Sequence, residues 1–403
     1  MMENSESIST QEQEMPEVQA VGQKRFAGEI FAKAASKVGA PASVSFRVTD
    51  RCNYECVHCY QTHDDKNELR LDEIDRILGE IADEGALFLT FMGGEFFMRR
   101  DADAILIAAR KRKFAIKLMT TGHHVDDRRA DLLRDLGSIQ VDLSLYSSDR
   151  HVHDQVTQVK GSWERTLAAA NRLRARGIIV VLKSPLMSIN ASTITGVASI
   201  AQDIGAKFTF DPKVTAREDG DQGPTSLRVD EETLKGFYGS DFAGIWAFIK
   251  NRFGPSDGMP EKPLDATPCR AGSAIASINP QGLVYACTAL PIACGDLRKQ
   301  SFREVWRHSR RLDEIRGLTW GQIEECNRCD VRKYCKRCHA MALIEDGKMD
   351  GPSTEACRHA VVLRDLLREQ GLIDKADNAM PATFAREQRN KLSIRSSALR
   401  VVG

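Results

Sequence analysis

Eleven cysteines hold most of the chemistry available to this chain, and their placement is uneven. Cys52, Cys56 and Cys59 form one cluster, the other eight lie between Cys269 and Cys357, and none falls between the two groups. Thiolates at such spacings bind metal. A structural zinc takes four ligands, and a four-iron cubane usually takes four thiolates. Three cysteines within the eight residues 52–59 can wrap three corners of a cubane and leave one iron open to a chelating ligand. The alternative is a zinc knuckle completed by His58 or His63, although His58 reads better as a packing neighbour.

The second group runs Cys269, then Gly282 and Cys287, then Cys294, then Cys326-x2-Cys329-x5-Cys335-x2-Cys338, and ends at Cys357. Apolar runs at 274–279 and 283–288 flank Asn279-Pro280-Gln281-Gly282, which predicts a hairpin returning Cys287 toward Cys269. A compact knuckle at 326–338 then presents four thiols, and Cys357 arrives on a helix spanning 354–371. CxxC knuckles also bind zinc, so a pair of zinc ribbons is the alternative reading here.

The elements that must position these groups repeat. Apolar, β-branched runs at 44–48, 87–92, 114–119, 139–145, 178–183 and 207–210 predict strands of a covered sheet. Helical patterns lie between them: Leu71, Ile74, Ile77, Leu78 and Ile81 share one face, Leu167, Ala170 and Leu173 another, and a third helix starts at Ser192 as N-cap. Six βα units imply an α/β fold, a partial (β/α)6 barrel with an open side, followed by a small cysteine-rich domain of hairpin and helices. Chemistry in such barrels sits in the loops after the strands. The first cysteine cluster, Gly93-Gly94-Glu95, Thr120-Thr121-Gly122, Ser144, Lys183 and Asp211 all follow or end strands on that rim.

The chain divides into a tail and helix (1–40), the barrel (41–212), a bridge with a helical pattern at 231–253 (213–268), the cysteine-rich domain (269–360), and a C-terminal helix with a basic tail (361–403). A helix at 23–37, with Phe26, Ile30 and Phe31 on one side, is expected to pack on the barrel. Both tails read as solvated. Its 403 residues are 42% hydrophobic and 28% charged, with a net charge of +1, which gives no argument for a nucleic-acid partner. The first twenty residues lack the basic start and apolar core of a secretory signal, and no apolar run spans a membrane, so a cytoplasmic protein with reduced thiols is expected.

The CxxxCxxC loop after a first strand, with Gly93-Gly94-Glu95 after the second, resembles the radical S-adenosylmethionine (SAM) superfamily across 44–211. The resemblance implies a [4Fe-4S] cluster on Cys52, Cys56 and Cys59 whose open iron is chelated by SAM. Reductive cleavage then yields a 5′-deoxyadenosyl radical that removes hydrogen from a substrate. It assigns Gly93, Gly94 and Glu95 to the SAM amino group, Ser144 to SAM, and Lys183 or Arg165 to its carboxylate. The family motif continues with proline, where this chain has Phe96.

Residues 269–360 resemble the SPASM extension, which implies two auxiliary iron–sulfur clusters. Cys269, Cys287 and Cys338 would serve the first, and Cys326, Cys329, Cys335 and Cys357 the second. The family spacing before the last knuckle cysteine is often longer than the two residues found here. Cys294 is a candidate fourth ligand of the first cluster, since it would use every cysteine.

SPASM enzymes mostly modify peptides, like the pyrroloquinoline quinone and mycofactocin maturases, so the resemblance implies an oxidoreductase acting on a peptide or protein. It also implies a reductant such as flavodoxin or ferredoxin. The leader-binding domain of some maturases is longer than the stretch before the first strand, so a separate leader-recognition protein is a candidate partner. A tetrapyrrole-modifying enzyme is the second reading, and a non-catalytic metal-binding scaffold the third. Among Tyr60, His123, His124, Asp211 and Lys213 near the rim, none is singled out as catalytic.

Overall fold

A computed structural model describes residues 34–35, 38–63, 65–240 and 261–373. Six strands run parallel, each hydrogen-bonded to the next: β1 (Ser43–Arg47), β2 (Phe88–Met92), β3 (Ala115–Thr120), β4 (Ile139–Ser144), β5 (Ile179–Pro185) and β6 (Lys207–Asp211). Their connections carry α1 (Leu71–Asp83), α2 (Ala102–Lys111), α3 (Asp127–Leu136), α4 (Arg150–Thr157), α5 (Ser162–Arg174) and α6 (Ile194–Asp203). α1 buries Ile74, Ile77, Leu78 and Ile81, the face its spacing predicts. Each such side chain contributes about 2 kcal/mol on leaving water. α6 begins one residue later than expected, after Thr193, whose hydroxyl donates to the Asn190 carbonyl (3.2 Å).

Strand alternation separates two environments. Val44, Phe46, Leu89, Phe91, Leu118, Val141 and Leu182 are buried in one core with the helices. The alternate positions Ser45, Thr90, Lys117, Gln140 and Asp142 line an interior cavity instead. A closed eight-stranded barrel fills that space with branched apolar side chains. Here the sheet stays unclosed, and polar side chains from β1 to β4 point into the lumen.

Beyond β6 come α7 (Glu231–Gly239), then β7 (Ile275–Ile278), β8 (Leu283–Tyr285) and β9 (Ala293–Asp296). β7 and β8 form the expected hairpin, antiparallel with Ser277 opposite Tyr285. Two features depart from the sequence reading. β9 adds a third strand, and β7 pairs in parallel with β1, Ser43 opposite Ile275. One nine-stranded sheet, in the order β6-β5-β4-β3-β2-β1-β7-β8-β9, therefore runs through both cysteine regions.

The chain closes with α8 (Phe302–His308), α9 (Arg310–Gly317), α10 (Glu324–Asn327), α11 (His339–Ile344) and α12 (Thr354–Glu369). The helix expected at 23–37 lies outside the described residues apart from 34–35, as do the stretch 241–260 and the basic tail after 373. No helix among the described residues is long and apolar enough to cross a membrane.

Candidate active site

The loop after β1 is held by backbone on two sides. Glu55 and Val57 donate their N–H groups to the Thr157 and Val156 carbonyls at the end of α4 (3.2 and 3.0 Å), and Cys59 N–H closes a turn on the Cys56 carbonyl (2.9 Å). At its root, Gly94 and Glu95 donate N–H bonds to the carbonyls of Thr49 and Arg51 (3.0 and 2.8 Å). A Cβ on Gly93 would lie 2.2 Å from the Thr49 carbonyl oxygen, and one on Gly94 2.2 Å from that of Arg51. The glycine pair is thus required by the backbone that launches the cysteine loop, and Gly93 also holds φ at +148°.

Glu95 takes a different place from its two neighbours. Gly93 and Gly94 line the cavity, but the fully buried Glu95 carboxylate turns away and accepts four bonds. One oxygen takes Phe97 N–H (3.1 Å) and Thr120 Oγ1 (2.7 Å), and the other takes Thr121 N–H (2.7 Å) and Thr121 Oγ1 (2.8 Å). It ties the loop after β2 to the end of β3. Phe96, standing where the family has proline, is fully buried between Phe91 and Phe97.

Burial pushes the Cys52 thiol up to about 11 and that of Cys56 to about 12, and the nearby charges of the sister thiols add to both shifts. Thiols in this setting ionise only when a cation is supplied, as iron does. Tyr54 N–H points at Cys52 Sγ (3.4 Å), and the Tyr146 hydroxyl lies 3.9 Å from Cys56 Sγ. His58 stands edge-on to Tyr146 (4.7 Å between ring centres), which stacks on His153. Among the described residues, both amide atoms of Asn53 and His58 Nδ1 are buried around the loop without a partner. A loop with buried thiols and unspent polar atoms fits a bound group. Among the described residues no three ligand-type side chains converge closely enough to grip a single ion.

Ser144 and Lys183 sit opposite each other on β4 and β5 and both line the cavity. Lys183 Nζ lies 3.8 Å from Asp142 Oδ2, and burial lowers its pKa. Arg165 stands beside the Tyr54 hydroxyl and donates to the Lys160 carbonyl (2.7 Å). The cavity, about 2210 Å³, reaches from Cys52, Cys56 and Cys59 to Cys338. Tyr60, Asp211 and Lys213 border it, whereas His123 packs on Tyr54 and on His124.

The later cysteines gather into two groups. Cys269 lies within electrostatic reach of Cys287 and Cys338. Cys326, Cys329 and Cys335 lie together, and Cys335 Sγ is 3.9 Å from the carbonyl of Ala356, the residue before Cys357. Cys294, on β9, is buried near Cys287, and its thiol donates to the Ile292 carbonyl (3.4 Å). Three participants carried no recognisable sequence signal: Tyr146 beside Cys56, Asp142 beside Lys183, and a buried Arg337 between Cys335 and Cys338.

An open parallel barrel with three thiol groups at one rim defines an iron–sulfur α/β enzyme. Residues 46–197 match the radical SAM superfamily model, and residues 269–330 match SPASM, an iron–sulfur cluster-binding domain. The chain belongs to the radical SAM superfamily, and its two matched domains imply [4Fe-4S] clusters and SAM as cofactors. An AdoMet-dependent heme synthase of Methanosarcina barkeri is 25% identical over 334 residues, covering 76% of this chain and 94% of that protein. A PqqA peptide cyclase of Xanthomonas campestris is 27% identical over 349 residues, covering 79% and 88%. Streptococcus suis SuiB bound to its precursor peptide SuiA has the same fold (TM-score 0.61, 16% identity, 83% and 80% covered). So has anSMEcpe with bound AdoMet (TM-score 0.60, 16% identity, 83% and 99% covered).

Proposed function

We propose that this enzyme oxidatively modifies a side chain of a peptide or protein. The observation that carries the reading is the single cavity joining Cys52, Cys56 and Cys59 to Cys338. At about 2210 Å³ it exceeds the several hundred Å³ of a small-molecule pocket and has room for an extended peptide. The PqqA cyclase relatives and the peptide-bound SuiB support the same substrate class.

In this reading Cys52, Cys56 and Cys59 hold the SAM-cleaving cluster, and Gly93, Gly94, Ser144 and Lys183 face SAM. When bound, cluster and SAM supply a hydrogen-abstracting radical. The chain's own residues prepare the place for it. Glu95 fixes the rim between β2 and β3, and Asp142 holds the Lys183 ammonium in the lumen. Cys269, Cys287 and Cys338 serve a first auxiliary cluster bordering the cavity, and Cys326, Cys329, Cys335 and Cys357 a second. We leave Cys294 out of the first set, because ligation would need its thiol to turn from the Ile292 carbonyl toward Cys287.

A tetrapyrrole substrate is the second reading. The heme synthase relatives favour it, and Lys117, Lys183 and Lys207 along the lumen suit a carboxylate-bearing ring. The deciding experiment incubates the anaerobically reconstituted enzyme with SAM and dithionite, adding either a peptide encoded beside the gene or a propionate-bearing tetrapyrrole. The peptide is expected to stimulate 5′-deoxyadenosine release and to lose hydrogen. Stimulation by the tetrapyrrole alone overturns the peptide reading.

A further inference from the structure

Arg337 stands at a crossing. In the ligand assignment proposed above, on which this inference rests, Cys335 goes to the second auxiliary cluster and Cys338 to the first. The chain passes between the clusters through Lys336 and Arg337, and the Arg337 side chain is only 3% exposed. Its Nε donates to the Gly351 carbonyl (3.0 Å), its Nη2 to the carbonyls of Met349 and Gly351, and its Nη1 to Nδ1 of His339 (2.6 Å). None of these acceptors is charged. A guanidinium N–H can only donate, so His339 Nδ1 accepts here and the imidazole that carries it is neutral.

A guanidinium keeps its proton in proteins, and a buried cation is strongly disfavoured without a counter-charge. No ion pair to a carboxylate is formed by Arg337 among the described residues, whereas the buried arginines Arg47, Arg99 and Arg364 each have one. The groups facing it that can become anionic are thiols. Cys335 and Cys338 flank it in the chain, and Cys326 and Cys269 lie close enough to feel its charge. Cys269 belongs to the first auxiliary group and Cys326 to the second.

We propose that Arg337 is the shared counter-charge of the two auxiliary clusters and raises the reduction potential of both. A thiolate-ligated cluster becomes more negative on reduction, and a fixed cation beside it stabilises that reduced form most. One buried side chain would then set how readily both clusters accept an electron.

The test is an EPR-monitored redox titration of anaerobically reconstituted wild-type, Arg337→Gln and Arg337→Lys enzymes, each with iron and sulfide counted. In Arg337→Gln both auxiliary midpoint potentials are expected to move to more negative values, while the cluster at Cys52, Cys56 and Cys59 keeps its own. Arg337→Lys, which retains the charge, is expected to stay closer to wild type. A fully loaded Arg337→Gln enzyme in which neither potential moves, or only one does, overturns the proposal. If Arg337→Gln fails to hold its clusters, Arg337→Lys decides: full iron with near-wild-type potentials supports the charge role, and lost iron overturns it in favour of a structural fork. Wild-type enzyme that loads iron only at Cys52, Cys56 and Cys59 overturns the auxiliary ligand assignment itself, a different failure from the potentials staying still.

Discussion

The cysteine loop after β1 and the knuckle around Cys326 solve opposite problems. The first opens to a large cavity, keeps unspent polar atoms around its thiols, and is held by backbone contacts from β2 and α4. The second has a separate apolar core of Trp320, Ile323, Val331, Tyr334, Leu363 and Leu367, with Cys326 and Cys335 built into it. Open sites admit a ligand, and sealed sites exclude water and pass only electrons. Cys269, Cys287 and Cys338 stand between these extremes, since Cys338 alone of the three borders the cavity.

The sharpest way to break this comparison is to remove one thiol from each region. Cys56→Ala is expected to reduce 5′-deoxyadenosine formation to background while the other clusters keep their iron. Cys335→Ala is expected to leave SAM cleavage measurable while modified product falls. Assaying nucleoside and product on the same samples checks both, and abolished SAM cleavage in Cys335→Ala would erase the distinction.

Next in size come two supports, one per region. Gly94→Ala puts a Cβ against the Arg51 carbonyl. Overpacking against backbone is expected to cost about 3 kcal/mol and to release the first cluster selectively, read by iron content and urea melts. On the other side, Glu355 at the start of α12 is bound by Arg358 and His359 and neighbours Arg228. Burial alone would raise its pKa, but the hydrogen bonds from Arg358 and His359 hold it at about 2, below its ordinary 4.5. The folded-state value is depressed, so the carboxylate contributes stability in full above pH 4.5 and loses it as pH falls from there toward 2. The contribution amounts to about 3 kcal/mol. Glu355→Gln is expected to unfold more easily at pH 7, with the gap from wild type narrowing at pH 3.5. Denaturation of the metal-free protein at the two pH values measures it, and an equal gap at both contradicts the assignment.

The smallest effect sharpens the middle case. Cys294→Ala is expected to retain the full iron load at a cost of about 1 kcal/mol. Loss of the first auxiliary cluster in this variant would return Cys294 to the ligand set.

Much of this arrangement is legible in the sequence because it is local. Alternation marks the six parallel strands to within a residue or two, and Asn279-Pro280-Gln281-Gly282 announces the β7–β8 hairpin. The parallel pairing of β7 with β1 joins residues more than two hundred positions apart, and no local pattern encodes it. β9 is missed because its four residues, Ala293–Asp296, carry neither alternation nor β-branched side chains. Glu95 shows why a motif and a contact differ. Sequence resemblance puts its whole segment on SAM, while the folded chain spends the carboxylate on Thr120 and Thr121. Arg337 was hidden for a related reason: in sequence it is one more basic residue beside Lys336, and only burial without a carboxylate partner marks it out.

The central claim is that the thiols at Cys52, Cys56 and Cys59 hold a cluster with one iron free for SAM, while the buried knuckle does not. The most direct test is the EPR spectrum of the reduced, anaerobically reconstituted enzyme before and after adding SAM, recorded for wild type and for a Cys52→Ala/Cys56→Ala/Cys59→Ala variant. One cluster signal is expected to shift with SAM in the wild type, and neither that signal nor any SAM-dependent change should appear in the variant. A SAM-induced shift that survives in the variant would contradict the account.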